Sequence, residues 1–392
     1  MNVAATFNQL NRHQAIPLIA GVVAAVVWGV GAFLEPTQAV RSYLIGYIYW
    51  WEATVGCLGL LLLRHLVRSH WGAAAGPVAA AGVATLPVMA ILFLPIAVGV
   101  IGLADGGLYP WTDAKYMQSD PHLEHKAGYL NPTFFVVRAG VYFAIWYGLG
   151  VLASRHEQTQ SAPPWLRQSA GLGLCALVLA TSFAAVDWVM SLEPAWHSTI
   201  LGALVLIGGG VTAKAIIVYC LAVGRAPIPE GMTRPQIISD VGNLMLAFLM
   251  VWAYFSFSQY LIIWSGNLPS EVGWYAHRLT AGWQTMALVI VVGHFAVPFF
   301  LLLSSDLKRS PSSVAFVALL ILAMHFVDVF WTVAPSFPDR HTFSVHYLDF
   351  VSPVAVGGFW LFLVASKLRR YEAVPAAPSD SIDQPTKQPS AP

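Results

Sequence analysis

The sequence predicts an all-α polytopic membrane protein with ten transmembrane helices, on the basis of its composition and its long apolar segments. Of its 392 residues, 57% are hydrophobic and only 10% are charged. Soluble globular domains carry about 25% charged residues, so this chain has too few charges to cover a water-exposed surface. Apolar segments of 18 residues or more recur along the chain, and each is long enough to cross a bilayer as a helix.

Ten such segments follow one another from the N-terminus to the C-terminus. We expect helices near 15–34, 40–63, 77–103, 132–153, 168–190, 197–223, 240–264, 279–304, 312–334 and 349–368. Trp and Tyr lie at many of the helix ends, among them Trp111, Trp264 and Trp274, as is typical of side chains that anchor a helix at the membrane interface.

Lys and Arg are distributed unequally between the two sides of the predicted bundle. Of the 20 residues of these types, thirteen lie in the N-terminus, in the connections after helices two, four, six and eight, and in the C-terminal tail. The opposite side has six, and Lys214 lies inside a helix. Because cytoplasmic segments are enriched in Lys and Arg, this bias predicts that both termini are cytoplasmic.

A corner motif occurs twice, each time where an apolar helix ends. It consists of an Asp, a Pro seven residues later and an aromatic residue two positions after that: Asp187, Pro194 and Trp196, then Asp328, Pro335 and Phe337. A weaker match relates SYLIG at the start of helix two to STILG at the start of helix six. These echoes predict two repeated four-helix bundles, helices two to five and six to nine, flanked by helices one and ten.

This repeat divides the chain into six predicted regions. They are a cytoplasmic N-terminus (1–14), flanking helix one (15–39), the first bundle (40–190), the second bundle (191–335), an outer loop with helix ten (336–370) and a cytoplasmic tail (371–392). The tail is rich in Pro, Ser and Ala and has no apolar period, so we expect it to be disordered.

Ionisable side chains at membrane depth are few, and each requires a partner or water rather than lipid. The candidates are Glu52, Asp187, Lys214, Asp240, His294, His325 and Asp328. Helix direction places Asp240, Lys214 and His294 towards the cytoplasmic half, Glu52 near the middle and the others towards the outer surface. Because this set spans the bilayer, its members are candidates for a proton-conducting path.

The acidic candidates also have structural interpretations. Asp187 and Asp328 could each bond the backbone of the loop that follows. Asp240 follows Ser239 at a helix start, where an N-cap residue belongs. His325 and Asp328 share a helix face three residues apart, an arrangement in which the carboxylate orients the imidazole.

The remaining candidates have structural interpretations too. Glu52 and Lys214 are charges in mid-helix, and a buried ion pair between helices would account for them. His294 could be an interior histidine. The glycines at Gly208–Gly210 lie inside helix six, where close helix packing explains them better than phosphate binding does.

Cofactor and metal motifs are missing from the sequence. It contains no CxxCH, no CxxC spacing, no GxGxxG and no Walker A motif. His294 and His325 could form one haem-ligating pair, but the second pair of a two-haem bundle is missing. The three cysteines are isolated in apolar helices, so we expect no cofactor and no metal on this chain. The net charge of +1 says nothing about nucleic acid, and no basic run is present to support such a partner, so we expect none.

Three stretches carry a resemblance to a known family. They are RSYLIGYIYWWEATVGCLGLLLLRHLVRSHWG, VDWVMSLEPAWHSTILG and DVGNLMLAFLMVWAYFSFSQYLIIWSGNLPSEVGWYAHR, of which the last is the most specific. The chain resembles the ActF subunit of bacterial alternative complex III, an NrfD/PsrC-like membrane protein, over helices two to nine. That complex is a quinol:cytochrome c or cupredoxin oxidoreductase, and its ActF subunit has ten helices in two four-helix bundles.

The resemblance implies a membrane subunit without a redox centre of its own, in the bacterial cytoplasmic membrane. The expected partners are the paralogous quinol-binding subunit ActC, multihaem cytochrome c subunits, an iron–sulfur subunit and other small membrane subunits. Haem c and iron–sulfur clusters in those partners would carry electrons from menaquinol or another quinol. In this family, polar chains within the membrane are proposed to conduct protons, and the seven ionisable residues are the candidates here.

Three alternatives stay open at this point. A quinol site within this chain would need a polar pair beside an aromatic pocket, for which Asp187, Trp188, Trp196 and His197 are the place to look. A free-standing secondary transporter would show interrupted helices in corresponding halves, yet Pro87 and Pro95 of helix three have no counterparts in helix seven. The third alternative is a structural spacer without an ion route.

Overall fold

The computed structural model describes residues 12–67, 70–102, 107–154, 164–226, 228 and 231–372. The expectations for most of the N-terminus and for the tail after residue 372 fall outside these residues. The structure is 85% helical, without strands in the described ranges. Ten of its helices are long and apolar enough to cross a membrane. The predicted all-α polytopic class is confirmed.

We number the ten spanning helices α1 to α10. Their bounds are α1 Arg12–Leu34, α2 Pro36–Leu66, α3 in three pieces (His70–Val83, Leu86–Leu92 and Leu94–Gly102), α4 Pro132–Ser154, α5 Pro164–Trp188, α6 Leu201–Ala222, α7 Arg234–Gly266, α8 in three pieces (Trp283–Val289, the π-helical Ile290–Ala296 and Val297–Leu303), α9 Pro311–Val333 and α10 Leu348–Glu372. Short helices in the connections are Pro110–Thr112, Ala114–Gln118, Pro121–Glu124, Met190–Leu192, Pro269–Arg278, Ser305–Arg309, Ala334–Ser336 and Pro338–Arg340.

The start of α7 differs from the predicted one. The helix begins at Arg234, and Thr233 caps it through a reciprocal pair of contacts with Gln236. Asp240 therefore lies more than one turn inside the helix, with its side chain exposed. The N-cap interpretation of Asp240 was wrong, because a capping box with Pro at the first turn already starts the helix six residues earlier.

Helix α3 is interrupted where the sequence places its prolines. Pro87 and Pro95 each lie in the first turn of a new helical piece, after breaks near Thr85 and Phe93. Proline has no amide hydrogen and its ring collides with the carbonyl four residues back, so each interrupts the helical hydrogen bonds. Helix α7 is unbroken, and the two helices that the repeat would pair therefore differ.

Helix α2 is the central element of the molecule. In its most apolar membrane-length stretch, 89% of the residues are buried, and it packs against α3, α5, α6 and α10. Its neighbouring residues Trp51 and Glu52 point to different sides, since successive helix positions are about 100° apart. Trp51 packs against Trp146 and Trp188 among α4 and α5, whereas Glu52 faces α6 and α9.

The helices pack as two groups of four, with α1 and α10 to one side. Helices α3 and α5 contact α2, and α4 contacts α5; α7 and α9 contact α6, and the π-helical part of α8 contacts α9. Helices α2 and α6 join the groups at a glycine contact, since a Cβ on Gly56 would overlap the carbonyl oxygen of Gly209. Close packing at Gly208–Gly210, as the sequence predicted, is confirmed. The duplication itself, and the boundary between residues 190 and 191, stay predictions.

The connections after α1, α3, α5, α7 and α9 lie on one side, which we call the long-loop face. Four buried or half-buried arginines pair with carboxylates at this face. Arg278 with Glu193 joins the connections after α7 and α5, and Arg41 of α2 pairs with Asp339 of the connection after α9. Arg138 of α4 pairs with Asp187 of α5, and Arg340 pairs with Asp349 in the first turn of α10. Four of the six basic residues predicted for this side are therefore neutralised by carboxylates.

Candidate functional site

Four of the seven candidate residues meet in the interior of the second group of helices. Glu52 comes from α2, His294 from the π-helical part of α8, and His325 and Asp328 from α9. His325 Nε2 lies 2.7 Å from Glu52 Oε2, and His325 Nδ1 lies 3.7 Å from Asp328 Oδ2. The rings of His294 and His325 have centroids 5.4 Å apart. We call these four residues the polar cluster.

The glycine contact between α2 and α6 makes room for this cluster. A Cβ on Gly208 would lie 2.7 Å from His325 Cε1 and 3.3 Å from Glu52 Oε2. Any larger side chain at this position would therefore separate the carboxylate from the imidazole. Because Gly208 of α6 has no side chain, Glu52 of α2 and His325 of α9 can approach each other to hydrogen-bonding distance.

The cluster is almost completely enclosed. Glu52 is 4% exposed, His325 is 2% exposed and His294 is fully buried, whereas Asp328 is half-buried. Asp328 is also within hydrogen-bonding reach of the Trp252 indole. A carboxylate buried in a membrane protein requires a positive or hydrogen-bonding partner, and His325 is that partner for Glu52. The Glu52–His325 contact therefore holds an exchangeable proton inside the membrane.

Several polar atoms of the cluster have no hydrogen-bond partner in the described part of the chain. They are both ring nitrogens of His294 and Nδ1 of His325. The Trp252 ring packs against His294 with a centroid distance of 4.2 Å. A buried polar group without a partner costs about 1–3 kcal/mol, so these nitrogens indicate a function or a bound species. The π-helical conformation of the His294 segment also indicates a function, because such segments are frequent at functional sites.

A cavity of about 720 Å³ opens beside the cluster and is lined by Glu52, His325 and Asp328. Most of the other lining residues are apolar or aromatic, including Trp252, Tyr254, Phe257, Tyr260, Trp274, Tyr275 and Trp331. Tyr254 and Phe257 are 66% and 61% exposed, so the wall that they form lies at the lateral, membrane-facing surface of the protein. Its volume is within the range of small-molecule sites. Its carboxyl and imidazole groups come from the cluster, and Ser256, Gln259 and Thr332 add uncharged polar groups.

Asp187 has a different environment from Asp328, although the sequence motif makes them equivalent. Arg138 holds it with two hydrogen bonds, Nε to Oδ2 at 2.7 Å and Nη2 to Oδ1 at 3.0 Å, and the Tyr142 hydroxyl donates to Oδ2 at 2.7 Å. The guanidinium of Arg138 also stacks on the Tyr129 ring, 3.8 Å from its centroid. Burial, with the nearby Asp187 charge, raises the pKa of Tyr129 to about 12. The side chain of Asp187 thus bonds an arginine and a tyrosine, and the interpretation that it bonds the following loop was wrong.

Lys214 also lies apart from the cluster. Its ammonium nitrogen has no hydrogen-bond partner within the described ranges and lies 3.9 Å from the Trp71 ring. It is six residues beyond Gly208 on α6, a rise of about 9 Å. The sequence suggested that Glu52 and Lys214 belong to a buried ion pair. That explanation does not account for Lys214, because Glu52 is paired with His325 and Lys214 lies over an aromatic ring.

The predicted depths hold only in part. His294 was placed in the cytoplasmic half and His325 towards the outer surface, but the centroids of the two rings lie only 5.4 Å apart. The estimate failed because His294 is eleven residues into α8 and His325 is eight residues from the end of α9, which gives similar depths. Asp187, Lys214 and Asp240 do not contact the cluster in the described structure, and the seven residues form no continuous path of direct contacts there.

The cavity does not coincide with the quinol pocket that the sequence suggested, since its lining includes none of Asp187, Trp188, Trp196 and His197. Sequence reasoning missed Arg138, which it counted among the loop charges, and the cavity residues Trp252 and Gln259. Gly208 was noticed in the sequence, but its effect on the distance between Glu52 and His325 depends on how α2, α6 and α9 pack. The expectation that this chain has no metal site stays a prediction, although three potential ligand side chains, His294, His325 and Asp328, come together here.

Comparisons with protein-family models and with curated proteins found no match for this chain.

Proposed function

We propose that this chain is an integral membrane subunit of alternative complex III, which couples quinol oxidation to electron transfer to a cytochrome c or cupredoxin. Its own part is to exchange and conduct protons within the membrane. Electron transfer belongs to partner subunits: a quinol-binding NrfD-like paralogue, multihaem cytochrome c subunits and an iron–sulfur subunit. The sequence resemblance over helices two to nine supports the assignment to this complex.

The observation that carries the proton-handling role is the contact of Glu52 with His325 beside a membrane-facing cavity. Imidazole exchanges protons near neutral pH. A carboxylate 2.7 Å away can stabilise the protonated imidazole or accept the proton from it. Asp328, on the same helix face and partly exposed to the cavity, offers a second acceptor. A buried acid–base pair beside a cavity supports a proton-accepting role rather than that of a structural spacer.

The long-loop face is the proposed docking surface for the haem and iron–sulfur partners. The Lys and Arg bias of the sequence places it on the outer side of the cytoplasmic membrane. Arg278 with Glu193 holds the connections after α7 and α5 together, and Arg340 with Asp349 fixes the connection after α9 to the start of α10, which supports a pre-organised surface. Rigid surfaces lose less conformational entropy when a partner binds.

Purification of the tagged chain from its native membrane in mild detergent tests the assignment. We expect c-type cytochromes and an iron–sulfur protein to co-elute, with a haem c signal in the reduced-minus-oxidised spectrum. In the purified complex, Glu52→Gln should lower proton release per quinol oxidised. The matched control Asp306→Asn, which removes an exposed carboxylate, should leave it unchanged. Elution of the chain alone and without haem would refute the assignment.

A secondary transporter is the second candidate, and the membrane-embedded cavity is the observation in its favour. Transporter sites are commonly built from interrupted helices in corresponding halves. Here the interrupted helices are α3 and α8, whereas the predicted repeat pairs α3 with α7 and α4 with α8. Because the interruptions do not correspond, we rank this candidate second; uptake of a solute by proteoliposomes that contain only this chain would favour it.

A further inference from the structure

Three potential metal-ligand atoms lie close together beside the cavity, which His325 and Asp328 line. One atom each from His294, His325 and Asp328 lies within 4.8 Å of the other two. In a tetrahedral zinc site with bonds of about 2.0–2.1 Å, ligand atoms are about 3.4 Å apart. The Nδ1-to-Oδ2 distance between His325 and Asp328 is already 3.7 Å, so the remaining adjustment falls mainly on His294.

The imidazole nitrogens needed for coordination make no hydrogen bond with the described residues, and His325 Nδ1 lies 3.7 Å from Asp328, the third potential ligand. Nδ1 of His325 and both ring nitrogens of His294 are buried, without a hydrogen bond from the described residues. His294 is fully buried and His325 is 2% exposed, so bulk water does not solvate these nitrogens. Two buried imidazoles with unused nitrogens, next to a carboxylate, have the composition that first-row divalent cations bind.

Glu52 contacts the other ring nitrogen of His325, Nε2, which is not one of the proposed metal ligands. The 2.7 Å contact between Glu52 Oε2 and His325 Nε2 is best made with the proton on Nε2, which donates to the carboxylate. That tautomer leaves the Nδ1 lone pair directed at Asp328. Histidine ligands of metals are typically held in this way, by a carboxylate that accepts from the other ring nitrogen.

Charge and access also fit a cation. Asp328 and Glu52, when ionised, would balance the two positive charges of a divalent ion inside the membrane, where an uncompensated charge is costly. Asp328 and His325 line the cavity, so a fourth coordination position would face it. Three protein ligands with one open position are typical of zinc sites that bind water or a substrate oxygen.

We propose that His294, His325 and Asp328 bind a divalent transition-metal cation, with Glu52 orienting His325 and an open position facing the cavity. The proposal does not depend on the assignment to a respiratory complex. Binding of such a cation would occupy His325 Nδ1 and Asp328 and would thereby withdraw them from proton exchange. Zn²⁺ would act on this chain as an inhibitor of proton transfer, or as the group that binds the oxygen of a cavity occupant.

Cobalt and zinc titrations of the full-length chain, purified in detergent and treated with a chelator, test the site. We expect one Co²⁺ per chain, with a visible absorption spectrum typical of nitrogen and oxygen ligands, and its displacement by Zn²⁺. His294→Gln and Asp328→Asn should each abolish the spectrum. Glu52→Gln should weaken binding by about 10–100-fold, the usual effect of losing an orienting partner.

Two further variants separate ligation from a structural role. His294→Cys keeps a ligand atom, so we expect it to retain cobalt and to add a sulfur-to-cobalt charge-transfer band. His122→Gln removes a histidine from an exposed loop and should bind as the wild type does. Monodisperse elution and melting temperature verify that each variant is folded. Failure of the folded wild type to bind one equivalent, or full binding by folded His294→Gln and Asp328→Asn, would overturn the proposal.

Discussion

At the scale of single residues, the two aspartates of the repeated corner motif show how partners determine function. Asp187 is fully buried and holds Arg138 and Tyr142 in a closed set of hydrogen bonds. Asp328 has only a longer contact with His325 and a neighbouring indole, and it borders a cavity. A carboxylate with saturated hydrogen bonds is structural, whereas one with unused acceptor capacity beside a cavity can bind or exchange a ligand.

Arg138→Leu should be strongly destabilising, because it leaves the buried Asp187 carboxylate without its counter-charge. Removing one member of a buried ion pair typically costs about 3–5 kcal/mol of unfolding free energy. Thermal unfolding in detergent would measure the loss. Adding Asp187→Leu should recover part of it, and the control Lys115→Gln, which removes an exposed cation from the same face, should change little. Equal stability of Arg138→Leu and the wild type would contradict a structural role for the pair.

The long-loop face should also lose stability as the pH falls, through His341. Its ring stacks on that of His277 with centroids 4.2 Å apart. Burial, then the neighbouring His277 and Arg278, lower the pKa of His341 below its ordinary value of 6.5. A group whose pKa is lowered in the folded state takes up protons more readily in the unfolded chain. Its contribution to stability is therefore complete above pH 6.5 and decreases as the pH falls towards the folded-state value.

His341→Gln should accordingly reduce the drop in melting temperature between pH 7 and pH 5. The effect will be small, because the ring is largely exposed and solvent screens its interactions. His122→Gln, an exposed histidine elsewhere on this face, provides the control. If the melting temperature falls equally with pH in His341→Gln and in the wild type, the pH dependence belongs to other groups.

At the scale of helices, the contact between α2 and α6 positions the polar cluster. Gly56 and Gly209 bring the two backbones together, and Gly208 leaves the space in which Glu52 reaches His325. In membranes, small residues allow this approach, since lipid offers no hydrophobic drive for helices to associate. The geometry of the site therefore depends on a helix contact rather than on a loop.

Gly208→Ala tests this dependence. The added methyl group would lie 2.7 Å from His325 Cε1, so the ring must move away from Glu52. Overpacking of this kind costs about 1–3 kcal/mol, although alanine favours helix more than glycine does. Gly140→Ala in α4 is the matched control, because nothing lies within 4 Å of the added atom, and it should be neutral or slightly stabilising. Thermal unfolding and cobalt binding, both lowered for Gly208→Ala alone, would support the contact; equal values for the two variants would contradict it.

At the scale of the whole molecule, the two groups of helices use similar positions differently. The interior of the first group is filled by Trp51, Trp146 and Trp188, with ring centroids between 4.8 and 5.8 Å apart. The second group has a cavity and the polar cluster instead. Arg278 links the two at the long-loop face, since it donates to Glu193 after α5 and to Ser336 after α9. The first group is thus filled by packed side chains, whereas the second group contains an open site.

The sequence predicted the ten helices because hydrophobic length alone determines them, and it identified all four members of the polar cluster because charges at membrane depth are conspicuous. It did not predict which of them meet. Arg138 was missed because an arginine just inside a helix looks like a loop charge until Asp187 is placed beside it. The depth of His294 was misjudged because α8 begins at Trp283 rather than near residue 279. The π-helical stretch around His294 was not predicted, because it has no sequence signal that differs from an ordinary helix.

The orientation of the molecule is the last property that the charges predict, and it stays a prediction. Six of the Lys and Arg residues lie on the long-loop face and thirteen on the opposite side. The opposite face should therefore be cytoplasmic. Single cysteines in a background without Cys57, Cys175 and Cys220 would show this. We expect a membrane-impermeant thiol reagent to label Ser119→Cys on the long-loop face in intact spheroplasts. Ser305→Cys, exposed on the other face, should be labelled only after the membrane is opened. The reverse pattern would invert the topology and place the proposed docking surface in the cytoplasm.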